Sequence, residues 1–89
     1  MMEIRFEPTR NRAAAYDGET LAGWCEFEPQ AGVWEVTHTI VPEEYGGQGI
    51  AGKLVACVAE NARAAGVQID PVCWYAEKWL AKNAPELRV

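Results

Sequence analysis

Tyr45-Gly46-Gly47-Gln48-Gly49-Ile50-Ala51-Gly52-Lys53 stands between two opposed patterns: an alternating apolar run that closes at Val41-Pro42, and a long segment of period 3.6. A strand, a glycine-rich turn and a helix follow from that order. Glycine reaches positive φ cheaply and lets backbone approach a ligand closely. The helix start behind it offers unpaired N–H groups at the positive end of the dipole. Such a junction is a receptor for a phosphate or diphosphate.

Before the junction the chain reads as strands. Met2, Ile4 and Phe6 alternate with Glu3, Arg5 and Glu7, the mark of a half-buried strand. Arg12 to Tyr16 is a second strand, ended by the hairpin signal Asp17-Gly18. Thr20 to Glu28 is a third, with Leu21, Gly23, Cys25 and Phe27 on one face. Val33 to Val41 is the fourth, and alternation predicts Trp34, Val36, His38 and Ile40 on one face. After the junction, 100° per residue from Gly49 to Ala65 collects Ile50, Leu54, Cys57, Val58, Ala62 and Ala65 on one arc. Gly66 suits the position after a helix end. Val67 to Ile69 is a short fifth strand. Trp74 to Asn83 is a last helix, with Tyr75, Ala76, Trp79 and Leu80 inward and Pro85 behind it. The predicted class is α/β (α+β, mixed sheet) in the order ββββαβα.

Composition narrows the function. Eighty-nine residues suit one domain spanning 1–89, with a real core but no second unit. The net charge is −5 and no lysine/arginine cluster exists, so no nucleic-acid partner is expected. Gly46-Gly47-Gln48-Gly49 does spell the GxxG of a KH domain. That loop clamps a sugar-phosphate backbone, and here Glu43-Glu44 flanks it. No apolar run approaches the ~20 residues that cross a bilayer, and the N-terminus lacks the layout of a signal peptide. A cytoplasmic protein is expected. Cys25, Cys57 and Cys73 are odd in number and widely spaced, which implies neither a disulfide framework nor a zinc knuckle. With one histidine, His38, no metal site is expected.

Three phosphate patterns compete for the glycines. Gly47-x-Gly49-x-x-Gly52 matches the dinucleotide fingerprint, and Gly47-x4-Gly52-Lys53 matches most of a P-loop. Leu54 offers magnesium no hydroxyl, so the P-loop fails at its last position. The fingerprint fails on place, since too little chain follows Gly52 to complete a βαβ series. The third pattern is the acetyl-coenzyme A loop, Arg/Gln-x-x-Gly-x-Gly/Ala, which Gly46 to Ala51 satisfy at every position but the first.

The element order and that loop resemble the GNAT acetyltransferase superfamily, and more closely its small single-domain GNAT-like members. The residues that carry the resemblance are His38-Thr39, Val41-Pro42, Gly47-Gln48-Gly49-Ile50, Pro71-Val72-Cys73-Trp74-Tyr75 and the closing Pro85-Glu86. It spans roughly residues 20 to 86. One departure stands out: such proteins usually carry arginine where this chain has Gly46. The backbone amide survives there, but a charge that would strengthen the cradle does not.

The resemblance implies a fourth and fifth strand that splay apart, with the pantetheine arm of coenzyme A between them. Thr39, Ile40 and Val41 would line that arm, and Gly46, Gly47, Gln48, Gly49, Ile50 and Ala51 would hold the diphosphate. It also implies a functional cysteine at Cys73. Acetyl transfer from a thioester to an amine needs a deprotonated amine, a stabilised oxyanion and a protonated leaving thiolate. A backbone amide of the fourth strand could serve the oxyanion. Cys73 could protonate the leaving thiolate, or accept the acetyl group itself if its pKa is lowered. Tyr75 is a second candidate acid, equally suited to core packing. His38 could relay a proton, although its apolar face favours a structural role. Glu35 and Glu43 could act as base only through water. Trp74 and Lys78, one turn apart, could meet adenine and a phosphate, or form a stacking pair at the solvent edge. The expected function is N-acetyl transfer from acetyl-coenzyme A to an unidentified amine, a protein lysine, N-terminus or polyamine. Its rival is a non-catalytic coenzyme A-binding sensor or partner-binding module.

Overall fold

The computed structural model describes residues 2–89. Strands β1 (Met2–Glu7), β2 (Arg12–Asp17), β3 (Thr20–Gln30) and β4 (Val33–Ile40) form an antiparallel meander. Strand β5 (Gln68–Pro71) adds to β4 in parallel, completing one sheet in the order β1-β2-β3-β4-β5. A parallel neighbour needs a crossover, which helix α1 (Ile50–Ala65) supplies; helix α2 (Trp74–Asn83) follows β5. The mixed α/β architecture is the one predicted. Short 3₁₀ turns at Pro8–Arg10, Glu43–Tyr45 and Pro85–Leu87 carry no pattern that periodicity detects. Strand β3 runs two residues past its predicted end, through Pro29. Proline is tolerated there because β2 has already ended, its last pair being Arg12↔Glu26.

Both helices share one buried cluster with Ala13, Ala15, Cys25, Phe27, Val36 and Ile69, so both lie over the same sheet face. Leu54, Ile69 and Leu80 are its largest fully buried side chains, each stabilising by about 1.5–3 kcal/mol relative to exposure. At one end Phe6, Phe27 and Trp34 form a cluster of three mutually contacting rings, with centroids 5.7, 4.6 and 6.1 Å apart. The buried arc of α1 is rotated from the predicted one. Val55 and Ala59 are buried, whereas Cys57 is half-buried and Ala65 exposed. The helix touches every strand as well as α2, and a helical wheel cannot say which flank of an arc meets a second helix.

Two β-bulges correct the predicted faces. In β3, Ala15 pairs Gly23 but Tyr16 pairs Leu21, leaving Ala22 as the extra residue. Ala22 is buried in the core and Leu21 is not part of it. In β4, Glu26 pairs His38 but Phe27 pairs Val36, leaving Thr37 extra. A bulge breaks the period of two and re-aims the residues beyond it. Trp34 and Val36 face the core as predicted, whereas His38 and Ile40 are exposed and Thr39 takes the inward place opposite Cys25.

The β4–β5 ladder is short. It runs from Val33↔Gln68 to Val36↔Pro71. The Cys73 amide then donates to the Val36 carbonyl at 3.0 Å, and the chain turns away into α2. Thr37 to Ile40 therefore keep β3 on one edge and no strand on the other. The two strands splay from that point.

Candidate active site

The glycine loop closes one end of the splay. From Pro42 the chain makes the 3₁₀ turn Glu43–Tyr45, and the Tyr45 hydroxyl donates to Asp17 Oδ2 at 3.1 Å, tying the loop to the β2–β3 hairpin. Gly47 and Gly49 have φ of 79° and 75°, the left-handed region that costs other residues about 1–2 kcal/mol. Gly46 has the ordinary values φ −64°, ψ 153°, though a Cβ there would crowd the Glu43 carbonyl at 3.2 Å. Its glycine is thus not imposed by dihedral angle; an arginine there would add charge but would need the Glu43 carbonyl to give way slightly.

Gly49 caps α1 with no side-chain hydrogen bond, and the first turn holds no acidic residue. The first helical bond is Lys53 N–H to the Gly49 carbonyl, 3.2 Å. The amides of Ile50, Ala51 and Gly52 precede it and have no helical acceptor. Gly46 to Gly49 are exposed, while Ile50 is buried and anchors the turn. Uncapped donors, an uncompensated dipole and backbone without side chains fit a diphosphate on chemical grounds.

At the mouth of the splay, Cys73 is the N-cap residue of α2. Its thiol donates to Thr39 Oγ1 at 3.7 Å, and the Thr39 hydroxyl in turn lies 3.5 Å from Cys25 Sγ. Burial pushes the Cys73 thiol up. The Ala76 amide, the Thr39 hydroxyl and the Tyr75 amide outweigh it together, leaving the pKa below the ordinary thiol value. Cys25 behaves oppositely, because burial pushes it up to about 11. Of the three thiols, Cys73 alone is shifted towards ionisation, while Cys25 and Cys57 are shifted towards the neutral form. Alternation along β4 hid this pairing, since the Thr37 bulge alone turns Thr39 inward.

The neutral Cys25 thiol has a consequence for stability. The unfolded chain releases this proton near the ordinary 9.0, the folded one near 11. Stability tied to the neutral thiol is therefore whole below about pH 9 and lost as pH rises from there towards 11. At about 1.4 kcal/mol per unit the loss is roughly 2–3 kcal/mol. Burial raises Cys57 as well, so it acts in the same sense. Urea midpoints are expected to fall across that window, and less steeply in Cys25→Ala. A wild-type midpoint that stays level from pH 9 to 11 would contradict this account.

The remaining candidates are spread out. His38 is exposed and pairs in register with Glu26 on β3, on the face turned away from Thr39. Glu35 accepts a hydrogen bond from Gln30 Nε2 at 2.8 Å, and Glu43 sits exposed in the 3₁₀ turn. Val41 packs at the edge of the core and Ile40 is exposed. Trp74 is 71 % exposed, with Lys78 Nζ 5.6 Å above its ring. Tyr75 turns its hydroxyl to the first turn of α1, 3.3 Å from where a Gly52 Cβ would stand. Trp79, Lys82 and Asn83 join Gly52, Tyr75 and Lys78 around a cavity of about 390 Å³ between the two helices. Sequence reasoning missed it, because its walls come from helices far apart in the chain. Among the described residues no His, Cys, Asp and Glu group is assembled to hold a metal.

Comparison with known proteins accords with this geometry. A family model described as GCN5-related N-acetyl-transferase matches residues 12–88. A GCN5-like protein of Staphylococcus aureus, whose solution structure was determined by NMR, is 26% identical, with a TM-score of 0.75 over 98% of this chain and 87% of that one. N-acetylglutamate synthase from Neisseria gonorrhoeae, crystallised with coenzyme A and N-acetyl-glutamate, shares the fold at 18% identity and a TM-score of 0.63, over 76% of this chain and 18% of that one. Ribosomal-protein-alanine N-acetyltransferase from Brucella melitensis biovar Abortus 2308 does so at 20% identity and a TM-score of 0.59, over 82% and 60% of the two chains. No curated protein sequence matches. With a family model matched from the second strand almost to the last residue, on the splayed sheet and glycine loop described above, the chain belongs to the GCN5-related N-acetyl-transferase family of acyltransferases.

Proposed function

We propose that this acyltransferase binds coenzyme A and moves an acetyl group from acetyl-coenzyme A to an amine. The observation that carries the reading is the alignment of three features along one path. Open amides lie at the start of α1, an unpaired β4 edge runs from Thr37 to Ile40, and the Cys73 thiol stands beside Thr39. Gly46 to Ala51 would hold the diphosphate. Backbone at Thr39 to Val41 would meet the pantetheine arm.

The bound coenzyme supplies an activated thioester, and the chain has to orient it and move protons. Nitrogen bonds to the acetyl carbon, the carbon–sulfur bond breaks, the amine gives up a proton and the departing sulfur gains one. Cys73 is the residue assigned to that last proton or, as thiolate, to prior capture of the acetyl group. Its lowered pKa at the head of α2 and its contact with the Thr39 hydroxyl suit it to either. A cationic acceptor suits the sheet face that no helix covers, where Glu28, Glu35 and Asp70 stand in register across β3, β4 and β5.

The non-catalytic reading has one observation in its favour. His38 turns outward and the Glu35 carboxylate is engaged by Gln30, so among the described residues neither of these candidate bases bonds to Thr39 or Cys73. Two measurements separate the readings: calorimetric titration with coenzyme A, and acetyl-coenzyme A turnover with lysine peptides, N-terminal peptides and polyamines. Binding with turnover above background for at least one amine is expected. Binding with no turnover for any of them would leave the sensor, and absence of binding would remove both.

A further inference from the structure

The cavity between α1 and α2 is lined by donors and by no carboxylate. Lys78 and Lys82 stand one helical turn apart on α2, with the Tyr75 hydroxyl, the Trp79 indole N–H and the Asn83 carboxamide around them. Like charges at that spacing repel. The arrangement is odd in a chain of net charge −5. Arg5, Arg12, Arg63 and Arg88 each pair with a glutamate, yet among the described residues no lysine forms an ion pair. Neither the Tyr75 hydroxyl nor the Trp79 indole N–H makes a hydrogen bond within the described chain.

Gly52 shapes the cavity. A Cβ there would stand 3.3 Å from the Tyr75 hydroxyl and 3.6 Å from Trp79 Nε1, filling the space those donors face. Gly52 also belongs to the first turn of α1, directly after the loop assigned to the diphosphate. The cavity therefore adjoins that loop without being part of it.

We propose that this cavity is a second anion site, built for a phosphate monoester carried by the same ligand whose diphosphate sits on the glycine loop. A phosphomonoester bears a charge of about −1.5 to −2 at neutral pH and offers three acceptor oxygens; two ammonium groups balance that charge, and the Tyr75 hydroxyl and Trp79 indole N–H are further donors. The inference rests on the coenzyme A reading, because that molecule carries a 3′-phosphate on the ribose next to its diphosphate. Lys78 and Lys82 are then the residues that distinguish coenzyme A from its 3′-dephospho form.

Calorimetric titration of both ligands into the wild-type protein and a Lys78→Gln/Lys82→Gln double variant tests it. Wild type is expected to bind coenzyme A about tenfold tighter than 3′-dephospho-coenzyme A, with the difference shrinking as salt rises. The double variant is expected to bind the two equally, at the wild-type affinity for the dephospho form. Both lysines are exposed, so the fold should survive, and an unchanged melting temperature verifies it. Equal wild-type affinity for both ligands overturns the inference while the coenzyme A reading stands. A double variant that keeps the wild-type preference overturns it too. Binding of neither ligand removes the coenzyme A reading and this inference with it.

Discussion

Cys73→Ala should slow acetyl transfer by about 10²-fold or more, the usual worth of a placed proton donor or nucleophile. The same variant should change coenzyme A affinity by less than about threefold, since it removes no group assigned to holding the ligand. The asymmetry follows from where the thiol sits. Its own amide is committed to the Val36 carbonyl, which alanine retains, while the sulfur alone reaches Thr39. Alanine thus preserves the start of α2 and deletes only the ionisable group.

The pH profile of wild-type turnover then assigns the role. Cys73 ionises below the ordinary thiol range. A donor must be protonated to act, so its rate falls as pH rises through that depressed value. A nucleophile must be a thiolate, so its rate rises through the same value. Intact-mass measurement during turnover adds a check, because only the second route leaves an acetyl group on the protein. Turnover of Cys73→Ala at the wild-type rate would end any chemical role for this residue.

The largest structural penalty is expected at Gly23, which lies beside the Ala22 bulge with φ of 155°. A Cβ there would come within 3.0 Å of the Ile40 carbonyl oxygen, 3.3 Å of Val41 Cγ2 and 3.4 Å of Leu54 Cδ1. The nearest obstacle is backbone and cannot rotate away. Backbone strain and overpacking add, so Gly23→Val should cost about 3 kcal/mol, a large part of the roughly 5–15 kcal/mol that holds a domain folded. For a chain of this size the melting temperature should drop by about 15 °C. Relief can come only by moving Ile40 and Val41 away, which are residues assigned to the pantetheine arm. Affinity for coenzyme A should therefore fall even at temperatures where the variant is folded. A Gly23→Val protein that melts within a few degrees of wild type would show that β3 and the end of β4 are less closely packed than the structure has them.

Much of this molecule was legible along the chain. Alternation, with a hairpin signal after the second, marked four strands before the glycines, and a period of 3.6 marked both helices after them, because periodicity records which side of a local element meets the core. The loop could be read for the same reason: Gly47 and Gly49 occupy left-handed backbone that few other residues tolerate, so the need appears as the residue itself. Cys73 at the head of α2 was likewise visible from its neighbours Pro71 and Tyr75.

Relations between elements lay beyond reach. Extra residues at Ala22 and Thr37 exist only because one strand is paired to another, and nothing in either strand announces them. Those two bulges exchanged Leu21 for Ala22 in the core, turned His38 and Ile40 outward, and brought Thr39 between Cys25 and Cys73. The offset of α1 towards Val55 and Ala59, and the cavity its first turn shares with Lys78 and Lys82, arise in the same way. Local periodicity records burial one element at a time. Register and helix placement are settled only when separate elements meet, and there the candidate chemistry of this chain is assembled.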